Sequence, residues 1–354
     1  MRLTIRCGLI KLTQRKQQLL DREYANLQIV LQGGNAPLYS AHKQQALRFY
    51  KKIKKGVQYP LSLRNDLINV QKSKSFYFLR IPVAGQRGGI KVPFKPHRPI
   101  PVDAKLCESK LFKRKGKFIA NLVYEIPTKL KTHFSSVLAI DMGERTPATA
   151  VLLWEGQVMK PMFLGREIRG IRRHHAWLRK RLQERKLLKV VKRIGARERI
   201  RVNDILHCVS RHLVDAAVAS NSCIALGNLR GIRKGARGRG KRFNRIVSSM
   251  PFYKLRSMIE YKAGLLGIPV VAVDERMTSR TCHACGLEGQ RKSQGCFVCS
   301  NCGQYNADLN GAINIGKRLL PYMDGSGATC GLALNRPDEH PSDGTPEAAP
   351  IRTW

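Results

Sequence analysis

The sequence predicts an α+β protein of several domains: a β-barrel carrying a helical insert, then a region built on apolar strands with a compact metal-binding element near its end. Three observations predict it. Strand-like segments flank two amphipathic helices in the first 130 residues, a continuous apolar run at 136–140 ends in Asp141, and two Cys-x-x-Cys pairs follow at Cys282/Cys285 and Cys299/Cys302.

Residues 3–12 read as a strand, and from Thr13 the apolar positions Leu19, Leu20, Tyr24, Leu27 and Leu31 recur at helical spacing until Gln32-Gly33-Gly34-Asn35 ends the helix. A second helix over 41–54 carries Leu47, Tyr50 and Ile53 on one side and lysines at its end. These helices define a small α-helical insert, 13–71. Residues 75–81, 90–94, 110–112 and 117–125 read as strands, the last two joined by Lys113-Arg114-Lys115-Gly116, so 1–12 and 72–130 form the barrel. A linker at 127–132 leads to the third region, with strands at 136–140, 149–154 and 157–162. Asp141 closes an apolar strand, where a carboxylate carries a desolvation cost unless a cation or hydrogen bonds offset it; a metal ion is the economical partner.

Charge points to the partner. With 65 Lys and Arg against 24 Asp and Glu, the net charge is +41, which suits a polyanion whose condensed counterions are released on binding. Residues 163–201 hold fifteen Lys or Arg and three Glu, with Ile168, Ile171, Trp177, Leu178, Leu182 and Leu188 as an apolar stripe. That pattern is a basic helix with one buried face, followed by another helix over 202–219, and Arg172, Arg173, Arg179 and Lys180 are its candidate nucleic-acid contacts. Residues 229–246 have eight basic residues, no acidic ones and four glycines; they suit a basic loop, with Arg233, Lys234, Arg237 and Arg239 as further contacts. No run is apolar and long enough to span a bilayer and 1–7 is too polar for a signal peptide, so the expected place is the cytoplasm, in contact with the nucleoid. The proline-rich stretch 321–354 reads as a disordered tail.

The two Cys-x-x-Cys pairs are thirteen residues apart and each is followed by a glycine, Gly286 and Gly303. Four thiolates about 2.3 Å from Zn²⁺ make a closed structural site with no position for water, so 281–303 is expected to be a zinc ribbon. Cys296 and His283 are spare donors without paired spacing. Cys7, Cys107, Cys208 and Cys223 sit in apolar sequence and are expected to be buried thiols.

Ala139-Ile140-Asp141-Met142-Gly143, Thr278-Ser279-Arg280-Thr281-Cys282-His283-Ala284-Cys285-Gly286 and Asp308-Leu309-Asn310-Gly311-Ala312-Ile313-Asn314-Ile315 together resemble the C-terminal half of the TnpB family, transposon-encoded relatives of type V CRISPR effectors and of Fanzor proteins. The resemblance covers 135 to about 318 and implies a wedge barrel with a helical recognition insert, then a RuvC-like nuclease domain of RNase H fold over 135–280 and 304–320. It also implies a guide RNA derived from the transposon, a double-stranded DNA target, structural Zn²⁺ and catalytic Mg²⁺. Hydrolysis of a phosphodiester by carboxylates needs two or three of them around one or two Mg²⁺. Asp141 is the first candidate and Asp308 the second, with helix capping the plainer role for Asp308. The family's third acid follows the strand corresponding to Cys223–Leu226, where this chain has Gly227 and Asn228. Either Glu275, just beyond the strand at 268–273, supplies the carboxylate as in Fanzor proteins, or the site has decayed and the protein is an RNA-guided DNA-binding repressor. Strand alternation turns Asp274 away from the face of Glu275. A zinc-ribbon RNA-binding protein without a guide is the remaining alternative.

Overall fold

The computed structural model describes residues 1–54, 56–74, 76–228, 240, 244, 251–293 and 295–320. The chain divides into two compact units, one over Met1–Pro127 and one that begins at Thr128.

The first unit is a seven-stranded, wholly antiparallel sheet with two helices. Its elements are β1 (Arg2–Leu9), α1 (Gln14–Leu31), α2 (Ser40–Phe49), β2 (Leu61–Leu63), β3 (Asn69–Lys72), β4 (Tyr77–Val83), β5 (Gln86–Pro96), β6 (Lys105–Arg114) and β7 (Lys117–Glu125), paired in the order β2-β6-β7-β1-β5-β4-β3. Strict alternation in β1 buries Leu3, Ile5 and Cys7 while Arg2, Thr4 and Arg6 face out. α1 starts where the Thr13 hydroxyl accepts the Lys16 amide, and Leu20, Tyr24 and Leu27 pack it on the sheet's apolar face. Buried Glu23 ties this unit together by accepting the Tyr39 and Ala84 amides, each at 2.9 Å, and pairing with His42 Nδ1 at 2.9 Å. The helical insert is shorter than the sequence suggested, because Leu61–Leu63 and Asn69–Lys72 join the sheet as its two end strands. Strands of three and four residues are too short to show a period, and so by sequence the insert runs to 71.

The second unit holds a mixed sheet: β8 (Ser136–Asp141), β9 (Ala148–Trp154), β10 (Gln157–Val158), β11 (Met162–Leu164), β12 (Ser222–Gly227) and β13 (Val270–Val273). The order is β10-β9-β8-β12-β13, with β11 on β9; β8, β12 and β13 run parallel and β9 antiparallel to β8. The strand expected at 157–162 is two short ones, β10 and β11, both paired with β9. Helices cover both faces, as parallel strands require: α3 (Glu167–Glu184), α4 (Leu188–Ala219) and α5 (Phe252–Leu265) share a core with Leu138, Ile140, Ile224 and Leu226. On the other face α6 (Ala307–Lys317) packs Ala312, Ile313 and Ile315 against Val137, Ala139, Cys223, Ala225 and Val273. A third, three-stranded sheet, β14 (Gln290–Ser293), β15 (Cys296–Cys299) and β16 (Gly303–Asn306), precedes α6.

The basic helix expected over 163–201 is broken at Lys186, with φ 56°, into α3 and α4, and the second of these runs on through 202–219. Of the apolar stripe only Ile168 is buried, while Trp177 is 50% and Leu188 66% exposed. The physical reason is that two helices folded back on each other bury only the end nearest the sheet. Cys7 and Cys223 are buried, but Cys208 is exposed on the outer face of α4 and Cys107 is half-buried. Among the described residues no helix is long and apolar enough to cross a membrane.

Candidate active site and cysteine cluster

Strand parity assembles the carboxylate site. Asp141, Gly227 and Glu275 continue the alternation of Val137 and Ala139, of Cys223 and Ala225, and of Val271 and Val273, all on the face that α6 covers. The register Leu226 to Ile140 and Gly227 to Val273 places the three positions side by side at the carboxyl ends of parallel strands, the edge where open α/β sheets bind ligands. α6 then approaches closely. A methyl group on Gly316 would lie 2.2 Å from Leu153 Cδ1, and one on Gly311 would lie 3.0 Å from Asp141 Oδ2.

The position of Gly227 explains the missing glutamate. A Cβ built on Gly227 would fall 1.7 Å from Glu275 Oε1 and 2.6 Å from its carboxyl carbon. The Glu275 carboxyl therefore fills the space into which a side chain on residue 227 would project, and any residue but glycine there would displace it. Glu275 Oε1 is buried without a hydrogen-bond partner.

Asp308 stands in the first turn of α6 and is 7% exposed. It does not cap the helix: the Asn306 side chain does, accepting the amides of Asp308 at 3.1 Å and Leu309 at 3.0 Å, which leaves the Asp308 carboxyl for other work. Arg291, from β14, donates to Asp308 Oδ1 at 2.6 Å.

Electrostatics link the three acids. Burial first, and then the charge of Asp308, pushes Asp141 up to about 7, against the pull of Arg291 and the Met142 amide. Burial, then Asp141 and Asp274, pushes Glu275 up to about 7. Asp308 is raised by burial, with Arg291 opposing. The charge of Asp308 thus acts on Asp141, and that of Asp141 on Glu275. The carboxyls are spread more widely than the cysteines: among the described residues, the group of three or more donors whose atoms all lie within 4.8 Å of one another is the cysteine quartet. A buried carboxylate oxygen with no donor beside two like charges fits a divalent cation, which would satisfy the oxygen and cancel the repulsion. Asp274 is exposed and its carboxylate accepts the Arg276 amide at 3.1 Å.

Cys282, Cys285, Cys299 and Cys302 converge within 4.8 Å, with the Cys285 and Cys299 sulfurs 3.5 Å apart, close to the roughly 3.8 Å edge of a tetrahedron with 2.3 Å metal–sulfur bonds. The Leu287 amide, donating to the Cys285 sulfur, is the main cause that lowers this thiol to about 7; a turn amide aimed at sulfur favours the thiolate a metal needs. The quartet can hold a metal ion. His283 Nδ1 is 3.0 Å from Asn310 Oδ1, and Cys296 stands outside the quartet.

The helices α3, α4 and α5 line a cleft of about 680 Å³ that includes Arg169, Arg172, Arg173, Arg179, Arg199 and Lys254. Arg179 pairs with Glu198, burial lowers Arg172, and Arg173 and Lys180 are exposed. Arg181 stacks over the Trp177 ring at 4.4 Å. Arg233, Lys234, Arg237 and Arg239, like the tail at 321–354, lie outside the described residues.

Nothing in so basic a chain distinguishes Arg291, and the partners of the pair Asn310 and Asn314 also emerge only in the fold. That pair left a signal: two amides at i and i+4 on an apolar helix have to be bonded to something when buried.

Fold and site thus define a mixed α/β protein with carboxylates gathered at the ends of parallel strands and a cysteine cluster joined to the helix that carries one of them. Residues 252–315 match the family model of the Cas12f1-like TNB domain. The chain is 27% identical over 194 residues to a TnpB-like protein of Methanocaldococcus jannaschii, covering 52% of this chain and 70% of that one. It is 29% identical over 231 residues to a CRISPR-associated endodeoxyribonuclease Cas12f2 of a Micrarchaeota archaeon, covering 58% of this chain and 41% of that one. Among solved structures, one of a Cas12f1–sgRNA–target DNA complex shares the fold at a TM-score of 0.54 and 14% identity, over 78% of this chain and 68% of the other. The chain is thus similar to TnpB-like and Cas12f proteins, and the family model covers its 252–315 segment.

Proposed function

We propose that this protein is an RNA-guided DNA endonuclease whose third catalytic carboxylate has moved from the end of β12 to the segment after β13. The observation that carries the reading is the Glu275 carboxyl lying in the space above Gly227. A decayed site would have no reason to refill that space with an acid. The relatives named as endodeoxyribonucleases and the guide RNA and target DNA in the similar complex support the activity and the partners.

In this reading the second unit is a RuvC-like domain of RNase H fold, β14 to β16 form a zinc ribbon, and the first unit is the wedge barrel with its recognition helices. Asp141, Glu275 and Asp308 hold Mg²⁺, and Cys282, Cys285, Cys299 and Cys302 hold Zn²⁺. Bound Mg²⁺ supplies activation of water and stabilisation of the leaving oxygen. Asp141 would hold the ion beside Glu275 and Asp308, and Arg291, which donates to Asp308 Oδ1, would be the cation that competes with it there. Arg172, Arg173, Arg179 and Lys180, together with Arg233, Lys234, Arg237 and Arg239, contact phosphates without reading sequence, while base pairing with the guide selects the target.

The test is cleavage of a plasmid library by the purified ribonucleoprotein in Mg²⁺. Cutting beside a common flanking motif, abolished by Glu275→Ala, supports the proposal. Guided binding without cutting, unchanged by Glu275→Ala, establishes the repressor reading instead, and copurified RNA lacking any common sequence establishes an unguided RNA-binding protein.

A further inference from the structure

The helix that presents Asp308 is also bonded to the polypeptide that presents two of the cysteines. Asn310, fully buried, accepts the His283 amide at 2.9 Å and donates to the Thr281 carbonyl at 2.8 Å. One turn later, Asn314 donates to the carbonyls of Thr278 at 2.8 Å and Thr281 at 2.7 Å. Thr281 and His283 are the immediate neighbours of Cys282, so the two asparagines hold the backbone on both sides of a metal ligand. Lys317, also on α6, adds a bond to the His283 carbonyl at 2.6 Å.

The same contacts reach the acids. Thr278, held by Asn314, closes the turn after β13 by donating its amide, at 3.1 Å, and its hydroxyl, at 2.9 Å, to the Glu275 carbonyl. Asp308 lies two residues before Asn310, and Gly311 lies against the Asp141 carboxyl. One helical segment therefore touches the surroundings of all three carboxylates and of the first cysteine pair. Displacing 278–283 by the loss of metal from the quartet has to move the Glu275 turn, pull on α6, or break these bonds.

We propose that Asn310 and Asn314 are positioning residues through which zinc in the cysteine quartet sets the divalent-ion affinity of the Asp141, Glu275 and Asp308 cluster. The proposal rests on the metal-binding roles given above. It makes the ribbon a determinant of the carboxylate geometry as well as a folded element in its own right. Outer partners that orient metal ligands are worth about 10- to 100-fold in affinity, and coupling between two sites is reciprocal.

The experiment uses the full chain without nucleic acid and follows Mn²⁺ binding by the loss of the free-ion electron paramagnetic resonance signal, with zinc content measured on each sample. Asp141→Asn identifies the binding that belongs to the acid cluster, since Mn²⁺ avoids thiolates. Stripping zinc from the wild type is expected to weaken Mn²⁺ binding about tenfold. In Asn310→Ala/Asn314→Ala, Mn²⁺ binding is already weak with zinc in place, and stripping changes it by less than about twofold. Equal losses on stripping in wild type and variant, or no loss in the wild type, overturn the proposal. Asn314→Ala alone, which keeps the bonds of Asn310, covers failure of the double variant to fold: a zinc effect smaller than that of the wild type supports the link and an equal one contradicts it. In cleavage assays the positioning role appears as a higher Mn²⁺ requirement with a maximal rate near that of the wild type. Zinc-dependent Mn²⁺ affinity in a protein that does not cut DNA would defeat the nuclease reading and leave the coupling standing.

Discussion

Replacing Glu275 by glutamine should make the metal-free protein more stable while removing its activity. Burial and the neighbouring acids push Glu275 from its ordinary value of 4.5 up to about 7. At about 1.4 kcal/mol per pH unit, the ionised carboxylate costs the folded state about 3 kcal/mol at pH 8. A buried glutamine amide short of partners gives back about 1 kcal/mol, so Glu275→Gln is expected to gain about 2 kcal/mol, or roughly 4–8 °C in Tm. The sign follows from linkage: a carboxyl that holds its proton more tightly when folded lowers stability as pH rises from about 4.5 to about 7. The gain is therefore full at pH 8 and absent below pH 4.5. The assay is thermal unfolding of both proteins in chelator at the two pH values, and again in Mg²⁺, where the wild type alone should recover the difference. A variant that melts at or below the wild type at pH 8, or by the same margin at both pH values, refutes the reasoning.

Gly227→Glu should fail on steric grounds, since its Cβ would fall 1.7 Å from Glu275 Oε1, with a loss of about 1–3 kcal/mol in unfolding measurements; adding Glu275→Ala should restore cleavage above either single variant by returning one carboxylate to the cluster. Cys285→Ser removes one of four converging sulfurs and should lower bound zinc, read by metal analysis, with a fall in Tm that added Zn²⁺ does not reverse. Changing Arg172, Arg173 and Lys180 to Gln should weaken binding alike for matched and unmatched nucleic acid, and should flatten the plot of log K against log salt by about 0.7–0.9 per lost phosphate contact.

How much of this was visible in the sequence differs by feature. The cysteine pairs were legible because a tetrahedral site of two turns dictates their spacing. Strand β8 was legible because an acid that closes a six-residue apolar strand has to be offset by a cation or by hydrogen bonds. Strands β2 and β3 were not, since three and four residues carry no period. The break at Lys186 was hidden because charged residues continue across it on both helices. At the candidate site, the local strings mark Asp141 and Asp308 as candidate ligands, whereas they leave Glu275 as one of two readings. Only the fold shows that position 227 on one strand and residue 275 beyond another occupy the same space. The pairing of Arg291 with Asp308 is tertiary and left no mark in the chain.

In the proposed nuclease, Glu275 is a metal ligand together with Asp141 and Asp308. Anomalous diffraction from crystals of the guide-bound protein grown in Mn²⁺ tests this directly: manganese peaks bonded to Asp141 and shared with both Glu275 and Asp308 are the predicted result. Manganese held by Asp141 and Asp308 alone, with the Glu275 carboxyl turned away from it, contradicts the account.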